Sequence, residues 1–326
     1  MTRAALVGCG EVGRKHFAAL SELPNLEVVA ICDWDPTQRD RVEAHSSIPR
    51  YADSELAVRN ERPDIVVVAT PPSQTLRIVQ ECTKFECMVL AEKPVSLSRV
   101  ALGTAARANW SSRVFVGFQT HFGPHVASLL IDEKLATDKS LLATILLSWR
   151  RDEPYYRDWR KSRALAGGIL HQHVIHSLAL ALRLMPADDA ICDVEAKIDV
   201  RRPWKDIEDE VIADVHFASG RRLLIDAHVD AVHGGNHSLQ IDSLARGKVL
   251  IAGKNLELGV IEANPAPPPV PTAVAQHALR VSMLDSIATA SAAGPVHPCL
   301  FALTELVHVL EVIDAIYAES GVVVHS

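Results

Sequence analysis

Residues 5–20 read ALVGCGEVGRKHFAAL. Gly8, Gly10 and Gly13 stand in a G-x-G-x-x-G spacing between a short apolar run and a helix-like pattern. The run ends a strand and the pattern opens a helix, so the glycines form the turn between them. Gly8 permits a tight turn, Gly10 a close approach of phosphate groups to the backbone, and Gly13 close packing of helix on strand. The helix N-terminus adds unpaired N–H groups and a partial positive charge, both suited to an anion. Twenty residues beyond Gly13, Asp33 closes a second apolar run. A carboxylate there accepts hydrogen bonds from a ribose 2′-OH and repels a 2′-phosphate. Strand, turn, helix and acid together predict a dinucleotide site that takes NAD in preference to NADP.

Outward from this turn, residues 4–118 alternate short β-branched runs with helical periodicity. AALVG (4–8), LEVVAICD (26–33), DIVVVAT (64–70), CMVLAE (87–92) and RVFVGF (113–118) read as strands, with segments such as TLRIVQECTKF between them. Strands apolar throughout, alternating with helices, indicate a parallel sheet covered on both faces. The fold class is therefore α/β, with an N-terminal Rossmann doubly wound sheet. After a helix at about 124–135 the pattern changes to longer alternating runs at 140–152, 191–202, 209–219 and 221–231, followed by SLQIDSL and KVLIAG. One polar face per strand and short turns such as Ser219–Gly220 predict a second, α+β domain with a large, mostly antiparallel open sheet. Helices are expected at about 165–185, 274–291 and 299–318. The boundary is placed near 120, giving domains 1–120 and 121–326, with the C-terminal helices as candidates to pack back on the first. The proline-rich ANPAPPPVPT (263–272) reads as loop.

The 326 residues are 48% hydrophobic and 22% charged, a globular composition. A formal net charge of −7 argues against a nucleic-acid partner, which wants a concentrated basic surface. Apolar runs fall short of the ~18 residues that span a bilayer, and a strand pattern begins at once in place of a secretory leader. No membrane partner and a cytoplasmic location are the expectation. The six cysteines, Cys9, Cys32, Cys82, Cys87, Cys192 and Cys299, form no C-x-x-C pair and read as reduced, mostly buried thiols.

VLAEKPVSLS (89–98) ends a strand at about Glu92 and sets Lys93 at the carboxyl edge of the sheet, where ligands of such folds bind. Pro94 fixes the turn and can take a cis bond. A lysine beside the positively charged nicotinamide has its pKa pushed down, which makes it a proton acceptor near neutrality. The plain alternative is a surface lysine at a strand end.

With VGCGEVG, DWDP (33–36), ATPPS (69–73), AEKP (91–94), VGFQTHFGP (116–124) and AGGILHQHVIHSLAL (166–180) in this order, the chain resembles the Gfo/Idh/MocA family of sugar and cyclitol oxidoreductases over essentially its whole length. The resemblance implies dimers or tetramers built through the C-terminal sheet. It implies cofactor contacts at Gly8, Gly10, Glu11, Val12, Gly13, Asp33, Trp34, Thr70, Pro71, Pro72, Glu92, Lys93, Gln119 and Trp159. Lys93 matches the lysine of the family's E-K-P signature, which contacts the reacting hydroxyl. His176 matches the histidine that closes the G-G-x-x-x-D-x-G-x-H pattern, a residue type whose unperturbed pKa allows proton exchange near pH 7. Gln172 stands where many members have Asp. An amide orients substrate but exchanges no proton, which leaves the proton work to Lys93 and His176. In an α-helix Gln172 and His176 share a face at i and i+4. Thr75, His121 and Ala179 also depart from the family pattern and bear on the substrate pocket.

HQHVIH and HVDAVHGGNH (228–237) invite a metal reading, but no acidic or cysteine ligand stands at a zinc-like spacing. A histidine-lined polyol pocket is the better expectation, with Lys93, His121, Tyr156, Gln172, His173 and His176 as substrate contacts. WRRDEPYYRDWRKSR (149–163) holds six basic and three acidic residues among four aromatics. Tyr156, Trp159 and Arg160 read as a rim over nicotinamide and sugar; a solvated, salt-bridged loop is the alternative. The expectation is an NAD-dependent oxidoreductase of a secondary hydroxyl on a sugar, amino sugar (an aminoglycoside precursor among them) or cyclitol. Its alternatives are a non-catalytic NAD- and sugar-binding regulator and a dehydrogenase of nucleotide-linked sugars. Phosphate recognition would depend on the arginines, and an amino sugar would need carboxylates.

Overall fold

The computed structural model describes residues 1–42, 47–123, 126–186, 188–232, 235–252, 260–261 and 272–321. The proline-rich stretch lies outside them except for Thr272, which opens a helix. Strands are numbered β1 to β14 along the chain. Two compact units emerge.

The first unit comprises Met1–Ser96, Ala101–Phe122 and Gln276–Thr304. Its sheet contains β1 (Thr2–Val7), β2 (Leu26–Cys32), β3 (Arg50–Tyr51), β4 (Ile65–Val68), β5 (Met88–Glu92), β6 (Val114–Gly117) and β14 (Phe301–Ala302). They are ordered β14-β6-β5-β4-β1-β2-β3, with β1 to β6 parallel and β14 antiparallel on the edge. The doubly wound sheet expected from the sequence is present. All four residues of β4 are fully buried, because helices cover both faces and leave no polar side to alternate with. On one face Ala4, Leu6, Ile65, Val67, Leu90 and Phe115 pack against Ala19 and Leu20 of helix Glu11–Ser21 and Met283, Leu284 and Ile287 of helix Thr272–Ser291. Truncating a side chain such as Leu90 in this layer costs about 2–5 kcal/mol, since both its transfer energy and a cavity are at stake.

The second unit comprises Leu97–Val100, Gly123–Ala275 and Glu305–Ser326. Its sheet contains β7 (Leu142–Ser148), β8 (Ile191–Asp199), β9 (Glu210–Phe217), β10 (Arg222–His228), β11 (Asn236–Ser243), β12 (Gly247–Ala252) and β13 (Val260–Ile261), ordered β13-β12-β11-β7-β10-β9-β8. The pairings are antiparallel apart from β7 with β10, which runs parallel. The period-2 pattern holds: Ala143, Ile145 and Leu147 are buried while Leu146 is 40% exposed, and Val211, Ala213 and Val215 are buried while Ile212 is 42% exposed. Helices Ile175–Arg183 and Glu305–Glu319 pack on this sheet. The stretch Arg163–Arg183 is apolar and long enough to cross a membrane by composition, but 89% of its most apolar window is buried, as in the core of a soluble fold.

The helix expected at 124–135 is two short ones, Val126–Leu130 and Glu133–Thr137, the second capped by the Asp132 carboxylate on the Lys134 N–H. Five of the six thiols are buried, with Cys192 exposed. Burial pushes Cys9 and Cys32 up to about 12, so they are neutral core side chains.

Candidate active site

The glycine turn is a packing requirement as much as a ligand cradle. Gly8 has φ +93°, and a Cβ on it would lie 2.4 Å from the Ala69 carbonyl oxygen. A Cβ on Gly13 would lie 1.9 Å from the Gly8 carbonyl oxygen. Gly10, by contrast, faces open space, with nothing within 4 Å of its would-be Cβ. It caps helix Glu11–Ser21 with no side-chain hydrogen bond, which leaves the first-turn amides for an anion. Asp33 follows β2 and accepts the Cys9 N–H at 2.7 Å and the Asp35 N–H at 3.0 Å. Each oxygen keeps a further lone pair for a ribose hydroxyl. Trp34 beside it is 75% exposed. The Arg39 guanidinium donates to the Asp33 carbonyl, a cation the sequence reading did not weigh.

The neighbouring carboxyl ends of β4, β5 and β6 complete this edge. Pro71 and Pro72 start helix Pro72–Cys82, a position where a missing N–H costs nothing. The Thr70 and Thr75 hydroxyls meet at 3.0 Å. At the end of β5 the Lys93–Pro94 peptide is cis. Glu92 is 2.7 Å from His16 Nε2. Burial alone would raise the Glu92 carboxyl, but the His16 hydrogen bond and the charges of Arg280 and Lys93 hold it below the ordinary range. Burial likewise lowers His16. A neutral His16 therefore donates its Nε2 proton to an ionised Glu92. After β6, the Gln119 Oε1 and Thr120 Oγ1 are buried without a hydrogen-bond partner. Two such orphans at a ligand-binding edge suit a polar ligand group. Together with the open face of Gly10 and the Asp33 carboxylate, they fit a bound NAD. Thr120, His16 and Arg280 were not legible as site residues, because their placement comes from tertiary contacts.

In the second unit, Ile169 leads into a π-helical turn, Leu170–Val174, before the α-helix Ile175–Arg183. The wider turn replaces the α geometry assumed above, so Gln172 and His176 straddle a π/α junction and the simple i, i+4 face does not apply. Gln172 Nε2 donates to the carbonyls of Arg160 (3.0 Å) and Gly167 (3.1 Å). His173 is 4% exposed, with its ring 5.1 Å from Trp149 and 5.4 Å from Tyr155. Trp149 also meets His237, whose Nε2 is 3.0 Å from the Ser177 hydroxyl. His176 is half-buried. Among the described residues no three His, Cys, Asp or Glu side chains gather as metal ligands.

A model of the oxidoreductase family with an NAD-binding Rossmann fold (GFO_IDH_MocA) matches residues 2–118, and the GFO/IDH/MocA C-terminal domain matches residues 140–243. The chain belongs to the Gfo/Idh/MocA family. It is 23% identical over 72% of its length to the uncharacterized oxidoreductase YrbE of Bacillus subtilis, covering 70% of that protein. It is 22% identical to an inositol 2-dehydrogenase of Rhizobium meliloti, over 73% of this chain and 72% of the relative. The WlbA dehydrogenase of Bordetella pertussis, solved in complex with NADH and UDP-GlcNAcA, shares the fold with a TM-score of 0.81 and 19% identity, covering 98% of this chain and 96% of that one.

As a Gfo/Idh/MocA protein, this chain explains several of its own departures. Thr75 is fully buried and hydrogen-bonds the Pro71 carbonyl, so it closes a helix turn from within. Ala179 is fully buried in a core helix. His121 is fully buried too, stacked at 5.1 Å on Phe118 and edge-on to Phe301. Tyr156 is 2% exposed against Trp204, Arg202 and Lys205, while the ring that meets His173 is that of Tyr155. Trp159 is half-buried, with the Arg160 guanidinium 4.6 Å from its ring.

The glycine pair of the second unit is braced by buried charge. Glu208 is fully buried; it accepts the Ile169 N–H and the Tyr317 hydroxyl, each at 2.6 Å, and meets Arg163 at 2.9 Å. A Cβ on Gly168 would strike both Glu208 oxygens and the Tyr317 hydroxyl. Beside it Lys205 pairs with Asp209 at 2.8 Å, both side chains fully buried. Lys205 also donates to the Ile207 and Glu208 carbonyls, and Asp209 accepts the Arg201 and Arg202 N–H groups. The Glu208–Asp209 pair was missed; two adjacent acids before a strand carry no local signal of burial.

Proposed function

We propose that this protein oxidises a secondary hydroxyl of a sugar, amino sugar or cyclitol with NAD, or runs the reverse reduction, as a cytoplasmic homo-oligomer. The observation that carries the reading is the Glu92–Lys93–Pro94 corner, set at the carboxyl end of β5 in a sheet whose glycine turn fits NAD. The resemblance gives the lysine of this corner the reacting hydroxyl. The inositol dehydrogenase and the WlbA complex described above add support by kinship.

Gly8, Gly10, Gly13 and Asp33 hold the cofactor, with Glu11, Val12, Trp34, Thr70, Pro71, Pro72 and Gln119 along the same edge. Bound NAD supplies the hydride acceptor. Lys93 takes the hydroxyl proton at Nζ. Glu92, ionised and held by His16, fixes the backbone that presents the lysine. In the second unit, His173 and His176 contribute hydrogen bonds to hydroxyls, since a neutral imidazole both donates and accepts. The outward Leu146 and Ile212 on the second sheet favour a contact between copies of this chain across that face.

The test is absorbance at the reduced-nicotinamide band with NAD and a panel of sugars, amino sugars, inositols and nucleotide sugars. Substrate-dependent NADH formation that Lys93→Ala abolishes, with NAD binding retained, is the expected result. NAD binding without turnover across the panel would turn the reading toward a regulator.

A further inference from the structure

Of the five arginines of 149–163, Arg157 is exposed, and the other four divide into two kinds. Arg150 pairs with Asp152, and Arg163 with Glu208. Arg151 and Arg160 enter no ion pair among the described residues; their guanidinium groups lie instead against aromatic rings. Arg151 is 4.4 Å from the Trp149 ring centroid and 4.9 Å from that of Tyr155. Arg160 is 4.6 Å from Trp159 and 5.5 Å from the same Tyr155. The two cations therefore share one ring. Both are half-buried, and Arg151 Nε is buried without a hydrogen-bond partner.

This placement is built. Arg202 donates to the Arg151 carbonyl, and the Arg151 N–H donates to Val229 at 2.9 Å. The Arg160 carbonyl receives the Gln172 amide, and Tyr155 is the residue against His173. Two like charges held close together repel, and partial burial leaves that repulsion poorly screened. An anion accepting from both forks offsets it, and a planar guanidinium matches carboxylate and phosphate oxygens in pairs.

We infer that Arg151 and Arg160, both held against the Tyr155 ring beside His173, form a recognition site for a negatively charged group of the substrate. The inference rests on the oxidoreductase reading above and names its substrate class: an anionic sugar, charged through a carboxylate or a phosphate. A plain polyol leaves both guanidinium groups without an oxyanion.

The test is isothermal titration of UDP-glucuronate, UDP, glucuronate and myo-inositol into the full chain with NADH present, for the native protein and for Arg151→Met, Arg160→Met and Arg150→Met. The expected result is that an anion binds, that its Kd rises at least tenfold in either of the first two variants, and that Arg150→Met binds as the native protein does. Binding of UDP without glucuronate assigns the charge to phosphate; binding of glucuronate without UDP assigns it to carboxylate. If Arg151→Met fails to fold, Arg160→Met, whose guanidinium rests on rings alone, reads the same quantity. Binding of neither anion, myo-inositol binding as tightly as glucuronate, or equal affinity in all variants would overturn the inference. Anion binding lost in the variants, together with no NADH formed from any bound sugar when NAD replaces NADH in a parallel absorbance assay, would leave this site standing and remove the oxidoreductase reading.

Discussion

Gln172 Nε2 holds the Gly167 carbonyl at 3.1 Å, and the same nitrogen reaches the Arg160 carbonyl at 3.0 Å. One amide thus joins the glycine turn to the aromatic loop. A carboxylate at this position could not donate to either carbonyl, which gives a physical reason for Gln in place of the family's more common Asp. Gln172→Ala should cost about 1–3 kcal/mol through two lost hydrogen bonds. Gln172→Asp should cost at least as much, by placing a charge against two carbonyl oxygens. In both, substrate KM should rise while the NAD Kd is unchanged. Urea unfolding and steady-state kinetics check this; an equally weakened NAD affinity would contradict it.

Gly10 and Gly13 should respond oppositely to the same methyl group. Gly13→Ala drives a Cβ into the Gly8 carbonyl and should lower Tm by several degrees as well as removing NAD binding. Gly10→Ala meets no protein atom, so Tm should stay within about a degree while the NAD Kd rises tenfold or more. Thermal melts with and without NAD separate the two.

Asp33 sets the choice of dinucleotide. Asp33→Ser should cut the ratio of NAD to NADP affinity at least tenfold, aided by the nearby Arg39. Loss of the Cys9 N–H partner should cost about 1 kcal/mol besides. An unaltered ratio in parallel titrations would show that Asp33 does not read the ribose.

Acid should destabilise the fold through two buried imidazoles. Burial lowers His16 below its ordinary value despite the Glu92 hydrogen bond, and lowers His171 to about 3. Their folded-state pKa values are depressed, so their contribution is whole above the unfolded value of 6.5 and is lost as pH falls. Each loses about 1.4 kcal/mol per pH unit inside that window. Both His171 ring nitrogens lack a hydrogen-bond partner, and the ring stacks on Tyr317 at 5.9 Å. His171→Phe should keep the stack, remove two buried polar atoms and flatten the stability slope by one proton between about pH 6 and 4. An unchanged slope would place the His171 pKa near its ordinary value.

Much of the fold was legible because its signals are local. The apolar run 64–70 can only be a strand covered on both faces, and the glycine spacing names its own turn. What escaped depends on distant partners. The two-residue β14 gains its place from pairing with β6, and Phe301–Ala302 alone does not reveal that. The parallel pairing of β7 with β10 is invisible in either strand. The π turn at Leu170–Val174 looks like a helix in periodicity, since it differs from one by less than a residue per turn. At the site, the histidine-rich helix and Lys93 were readable, yet Tyr155 and Tyr156 were not distinguishable. Adjacent aromatics in a loop divide inside from outside only once the loop is folded.

The Lys205–Asp209 pair sets a limit on how this chain can change over generations. Losing Asp209 strands the buried Lys205 ammonium, a penalty of about 3–5 kcal/mol against a total stability of about 5–15 kcal/mol, whereas losing Lys205 leaves Asp209 paired with the Arg202 guanidinium. Exchanging both for apolar residues still leaves the Arg201 and Arg202 amides that Asp209 accepts. Asp209 is the member that does not change alone, and its exchange together with Lys205 also takes the carboxylate from the Arg202 guanidinium. The segment 201–209 is thus an evolutionary anchor: one carboxylate answers a buried ammonium, a guanidinium and two backbone amides, and a successor would have to answer all of them at once.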